Sequence, residues 1–169
     1  MKGYRNRNGV TTNRQRLLKH LGREYRPRVM SEPEKAWLAA MIDGEGSISL
    51  ILHRRKGTGR TYVFPVVTVN NTDVRLINRC VEIVGEHLRI QKRDRSAIRC
   101  KLMMTVHLNR VSMADVLEAV RPYLIAKGEQ ADLVIGFCRT HDDLPCKTPP
   151  LDQFYEAQKR CMALNKRGL

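Results

Sequence analysis

The chain has 169 residues, of which 31 are Lys or Arg and 17 are Asp or Glu, giving a formal charge of +14 with 42% hydrophobic residues. That is the composition of one globular domain with a real core, and it excludes a disordered or fibrous chain. Apolar runs are too short to span a membrane, and five cysteines without a Cys-x-x-Cys pair suggest neither a disulfide framework nor a zinc site. The chain reads as reduced and intracellular, in cytoplasm or nucleoid, or in an organelle if its gene is organellar.

Residues 1–30 hold nine Lys/Arg and one acid, Glu24, and so carry +8 of the total. Read as a separate unit, they form a basic arm that neutralises phosphates and follows a nucleic-acid groove, with Arg5, Arg7, Arg14 and Arg16 spaced by small polar residues; the plain alternative is a solvated tail. A short helix fits around 14–21, limited by Gly22 and Pro27. The remainder, 31–169, still carries positive excess and has no strongly apolar face, so the expected anionic partner is nucleic acid rather than a membrane.

Pro33 in a first turn and a nearly unbroken run of apolar or small residues predict a buried helix over 33–43, ended by Gly44 and Gly46. Alternation of Ile48, Leu50 and Leu52 with Ser47, Ser49, Ile51 and His53 predicts a half-buried strand, followed by a Lys-Gly-Thr-Gly turn and a second strand over 61–70. A helix to Val84 follows, with Asp73 in its first turn and Gly85 as its stop. A second hairpin over 88–93 and 98–108 and helices over 112–120, 128–139 and 151–164 complete the chain. The class is α+β, ordered αββαββα with further C-terminal helices, around an antiparallel sheet of two hairpins.

The segment Leu38-Ala39-Ala40-Met41-Ile42-Asp43-Gly44-Glu45-Gly46 resembles the motif of the LAGLIDADG homing endonucleases, with Ala40 where that family usually has Gly and Glu45 where it usually has Asp. The resemblance continues through Val69-Asn70-Asn71-Thr72-Asp73 and Pro122 to Ala131, covering about residues 34–165. It implies the LAGLIDADG fold with a curved four-stranded antiparallel sheet, lying in the major groove of double-stranded DNA. It also implies a Mg²⁺- or Mn²⁺-dependent, site-specific endonuclease that leaves 3′ overhangs and serves intron homing. By the resemblance, Glu45 and the Gly44 carbonyl hold metal, and Lys127 and Asn70 act beside them. Asp43 reads as a structural hydrogen-bonding group near a dimer axis rather than as a ligand.

Phosphodiester hydrolysis needs an activated water and stabilisation of a charged phosphorane, which carboxylate-held divalent cations supply. One Glu45 is too few for two strand cuts. Small residues on the motif helix allow two copies to pair, so a single motif implies a homodimer contacting through Trp37, Ala39, Ala40 and Asp43. Strand alternation assigns Ser47, Ser49, Ile51, His53, Arg55, Thr61, Val63, Val67, Arg89, Gln91, Arg93, Arg99, Lys101 and Met103 to the DNA face. Two rival readings use the same scaffold: a maturase acting on intron RNA, and a DNA-binding regulator that has lost cleavage.

Overall fold

The computed structural model describes residues 12–21, 28–54, 57, 59, 61–85, 88–93, 102–145 and 151–166. Helix α2, Glu32–Glu45, starts where Ser31 is extended and Pro33 occupies the first turn. The Glu34 carboxylate reaches back to accept the Ser31 backbone N–H at 2.9 Å and its hydroxyl at 3.1 Å, satisfying a donor at the helix entrance. Arg28 ties the same carboxylate to the end of the next helix, donating to Glu34 at 2.8 Å and to the Ile83 carbonyl at 2.7 Å. The Arg28 hydrogen bond, followed by the two from Ser31, holds the Glu34 carboxyl well below its ordinary range, at about 2.

Gly46 ends α2 and begins strand β1, Gly46–Arg54, which pairs antiparallel with β2, Thr61–Asn71. Strands β3, Leu88–Arg93, and β4, Met103–Leu108, form the second hairpin, and the sheet order is β1-β2-β4-β3. Helix α3, Val74–Val84, connects the hairpins; Asp73 accepts the Arg75 N–H at its start. Gly85, with φ +84°, turns the chain out of it. Helix α4, Met113–Val120, a 3₁₀ turn over Arg121–Tyr123, α5, Gly128–Asp143, and α6, Asp152–Lys166, follow.

All the long helices pack on one face of the sheet or along its edge, because only that face is continuously apolar. Ile48, Leu50, Val67, Val69 and Val106 are buried there against Leu38, Ile42, Ile77, Ile83, Leu117 and Val134. Helix α6 runs along the outer edge of β1. Asn165 donates to the Ile48 carbonyl of this edge strand at 3.1 Å, and Tyr155 donates to the Thr61 carbonyl of β2 at 3.2 Å. Among the described residues no helix is long and apolar enough to cross a membrane. Cys80, Cys138 and Cys161 are buried free thiols, and burial pushes Cys138 up to about 12 and Cys80 to about 11.

The basic segment is not a free arm along its whole length. Residues Asn13–Leu21 form helix α1, which packs on the C-terminal end of α5. The Asn13 N–H donates to Leu144 O and its amide to His141 O, both at 3.0 Å. Arg14 lies 3.6 Å from Asp142, a carboxylate only 5% exposed that also receives Arg110 at 2.7 Å. Arg14 therefore makes an ion pair within the chain, and residues 12–21 and 28–30 belong to the body of the protein. Met30, at the end of the same segment, is part of the core. Arg5 and Arg7 lie outside the described residues.

Candidate functional site

The motif residues meet at one corner, where α2 ends, β1 begins and α5 starts. Gly46 sits in that corner because nothing larger fits: a Cβ there would be 2.7 Å from Ile42 O and 2.9 Å from Thr68 O, both backbone atoms. Asp43, on the last turn of α2, crosses to the opposite element. Its Oδ2 accepts the N–H groups of Ile125 at 2.7 Å and Ala126 at 3.2 Å, and its Oδ1 accepts that of Lys127 at 3.0 Å. The N-cap position of α5, Lys127, gives no side-chain cap of its own. The Asp43 carboxylate instead holds the three N–H groups that lead into α5, the last of them that of the N-cap residue itself, near the positive end of the α5 dipole.

Lys127 returns the interaction, its Nζ donating to the Asp43 carbonyl at 2.5 Å. A cation thus meets one of the carbonyls left unsatisfied at the C-terminal end of α2, while an anion meets the amides of the segment that leads into α5. This pair of contacts fixes Lys127 at the motif corner. Glu45, the next residue but one after Asp43, is exposed at the end of α2, and so is Gly44. The register that pairs Gly46 with Val69 brings Asn70 to the same end of the sheet, where its Oδ1 accepts the Thr105 hydroxyl at 2.6 Å. Glu45, Gly44, Lys127 and Asn70, scattered in sequence, share one corner.

Two oxygen donors from one chain, the Glu45 carboxylate and the Gly44 carbonyl, suit a hard divalent cation in kind but not in number, since Mg²⁺ takes six oxygen ligands. Among the described residues no three His, Cys, Asp or Glu side chains converge to hold a metal. The donor set fits the metal only as half of a shared site completed by a second chain, water or phosphate.

The outer face of α2 corrects part of the expected dimer contact. Ala39 is 0% exposed and packs into the chain's own core, so it has no surface to offer a second copy. Asp43 spends its carboxylate on residues 125–127. The small residues that do face outward are Ala36, Ala40 and Gly44, one turn apart, with Trp37 half-buried beside them. A Cβ built on Gly44 meets nothing within 4 Å, so no contact among the described residues accounts for a glycine there, at a cost of about 0.5–1 kcal/mol to the helix relative to alanine.

The sheet face away from the helices is the candidate groove-facing surface, and on β1 it carries Ser47, Ser49, Ile51 and His53 as the alternation predicts. On β2 the expectation is overturned. Val63 and Val67 are 6% and 1% exposed, in the core, and Thr61 shares their parity. Pairing fixes this: Ile48 opposes Val67, Leu50 opposes Pro65 and Leu52 opposes Val63, and directly paired residues share a face. The open face of β2 is therefore Tyr62, Phe64, Val66, Thr68 and Asn70. Both faces of this central strand are apolar in sequence, which hid the choice; extending the unambiguous alternation of β1 across the hairpin would have revealed it.

Met103 lies on the open face as expected, joined by Thr105 and His107, which alternate with the buried Met104, Val106 and Leu108. Arg89, Gln91 and Arg93 stand at the register positions opposite His107, Thr105 and Met103. Gln91 and His107 hydrogen-bond across the strands at 3.0 Å. Arg55, Arg99 and Lys101 lie outside the described residues.

No family model matches the chain, and no curated protein matches its sequence. Solved structures do match. The homing endonuclease I-CvuI, in complex with a DNA target in the presence of magnesium with the DNA not cleaved, is 23% identical with a TM-score of 0.64, over 79% of this chain and 82% of that one. The group I intron-encoded homing endonuclease I-CeuI, complexed with DNA, is 18% identical with a TM-score of 0.53, over 75% and 65%. The LAGLIDADG homing endonuclease I-GzeII, in complex with its DNA target, is 12% identical with a TM-score of 0.53, over 80% of this chain but 44% of its own. At these identities the likeness is one of fold: the chain has the LAGLIDADG homing endonuclease fold.

Proposed function

We propose that this chain is one subunit of a homodimeric, divalent-metal-dependent endonuclease that cuts both strands of a long, pseudo-palindromic DNA site. The observation that carries the reading is the exposed Glu45 at the end of a helix whose outward face is Ala36, Ala40 and Gly44. A second α2 packed on that face brings a second Glu45 to the first, completing a site that one chain supplies only in part. The fold shared with DNA-bound homing endonucleases and the charge of +14 support DNA as the substrate.

Glu45 of each subunit and the Gly44 carbonyl would hold Mg²⁺ or Mn²⁺. When bound, the cation activates a water and stabilises negative charge on the phosphate. Lys127, held by Asp43 at the corner, offsets charge developing at the scissile phosphate. Asn70, steadied by the Thr105 hydroxyl, orients water through its amide. The open sheet face reads base edges in the major groove, with exposed Arg16 of α1 and the chain preceding it adding phosphate contacts. The cuts leave 3′ overhangs, and the activity serves intron homing.

The test uses the full chain and a duplex carrying the uninterrupted insertion site of its gene. Glu45→Gln should abolish cleavage while specific binding survives, since it removes the ligand's charge and keeps its shape. Undiminished cutting by that variant refutes the assignment. Binding without cleavage by the unaltered protein would instead favour the regulator, and selective binding of the intron RNA the maturase.

A further inference from the structure

The open sheet face carries one strongly exposed apolar pair. Ile51 and Phe64 stand directly opposite each other on β1 and β2, and they are 43% and 50% exposed. The next pairs along the same face border this island with the Ser49 hydroxyl and the half-buried Val66 on one side, and with His53 and Tyr62, which can both hydrogen-bond, on the other. Single exposed apolar residues need no explanation. Two large and strongly exposed ones placed face to face do, on a face that otherwise presents Ser, Thr, Tyr, His, Asn and Gln with only the half-buried Val66 and Met103 apolar, because neither can donate or accept.

This inference rests on the DNA-binding reading of the same face. A major groove seated on the sheet buries base edges against these two side chains. A guanine N7/O6 edge or a cytosine amino group placed there would lose its water and find no partner, which is costly. The thymine 5-methyl group is the one apolar feature a base pair presents in the major groove. The island is too small and too closely bordered by polar groups to resemble the apolar centre of a protein interface, and the chain's charge suits a polyanion.

We propose that Ile51 and Phe64 together form a thymine-reading site that receives the 5-methyl group and rejects G·C at that step. Its position along the DNA follows from strand geometry. Ile51 is five residues beyond Gly46, the corner where Glu45 stands, or about 17 Å at about 3.3–3.4 Å per residue. With base pairs spaced about 3.4 Å, the methyl lies about five base pairs outward from the cleavage corner, once in each half-site.

The experiment begins with full-length protein, without added Mg²⁺, selecting from a duplex library randomised across both half-sites. The enriched duplex is then remade with deoxyuridine replacing thymidine one position at a time, which deletes only the methyl. We expect thymine enriched at symmetric positions about five base pairs from the cleavage corners, and about fourfold weaker binding of the unaltered protein to the deoxyuridine duplex there, the effect of one lost methyl burial. The double variant Ile51→Ser/Phe64→Ser, which leaves no side-chain methyl or ring at either exposed position, should bind the two duplexes equally. An enriched site with no thymine preference in that window, or one where deoxyuridine is neutral, overturns the proposal while leaving specific DNA binding intact. Failure to select any duplex overturns the DNA reading itself. A change in the sedimentation mass of the free protein caused by the double variant would show that a second copy covers the island, and would also overturn the proposal.

Discussion

Replacing Asp43 by alanine should loosen the corner twice, once in stability and once in the placement of Lys127. The wild-type carboxylate accepts three backbone N–H groups, from Ile125, Ala126 and Lys127, at 2.7, 3.2 and 3.0 Å. Hydrogen bonds to a charged acceptor contribute about 1.5–3 kcal/mol each when isolated. Three on one partly solvated carboxylate are not additive, and loss of a helix-capping acid costs about 0.5–2 kcal/mol. Because this acid also bridges two helices, about 2 kcal/mol is expected for Asp43→Ala, and about half of that for Asp43→Asn, which keeps an acceptor but loses the charge at the helix terminus. For a chain of this size, 2 kcal/mol corresponds to a fall in Tm of about 4–8 °C. Urea unfolding with an unchanged m-value would confirm a change in stability alone. Single-turnover cleavage should fall more for Asp43→Ala than its stability loss explains, because Lys127 loses the backbone bond that seats it. An Asp43→Ala protein with wild-type unfolding would refute the clamp.

Gly46→Ala should destabilise the fold by about 1–3 kcal/mol through overpacking against backbone, whereas Gly44→Ala, two residues away with nothing within 4 Å, should leave subunit unfolding unchanged or slightly more stable; paired melting curves decide it. Ala40→Leu should leave the subunit folded but abolish dimerisation by sedimentation, and cleavage with it, while an unchanged dimer would rule out the outward face of α2 as the contact. The Glu34 carboxyl, held at about 2 against an ordinary 4.5, contributes stability that is fully present above pH 4.5 and lost as pH falls toward 2. Acid titration of unfolding should therefore show wild type and Glu34→Gln differing above pH 4.5 and converging near pH 2; a gap that persists at pH 2 would contradict this.

The order of elements was legible in the sequence because each carries its own local signal. Pro33 marks the first turn of α2, Gly44 and Gly46 its exit, the Ile48/Leu50 alternation β1, and Gly85 the end of α3, whose start falls one residue later than expected because Asp73, read as a first-turn residue, is its N-cap. The motif likewise pointed to Glu45, Lys127 and the fold. What the sequence could not decide were facts of tertiary pairing. Thr61, Val63 and Val67 fall on the wrong side because β2 is apolar on both faces, and only its register against β1 says which face meets the helices. Ala39 and Ala40 are chemically alike and adjacent, yet a rotation of about 100° per residue buries one in the core and turns the other outward. Arg14 looks like any other arm residue until α1 docks beside the buried Asp142, more than a hundred residues away. The partners of Asp43, too, lie some eighty residues on, in the segment that leads into α5. Local propensity and periodicity are written in neighbouring residues, whereas the face a strand buries, the side of a helix left open and the charge an arginine meets depend on contacts between residues distant in the chain.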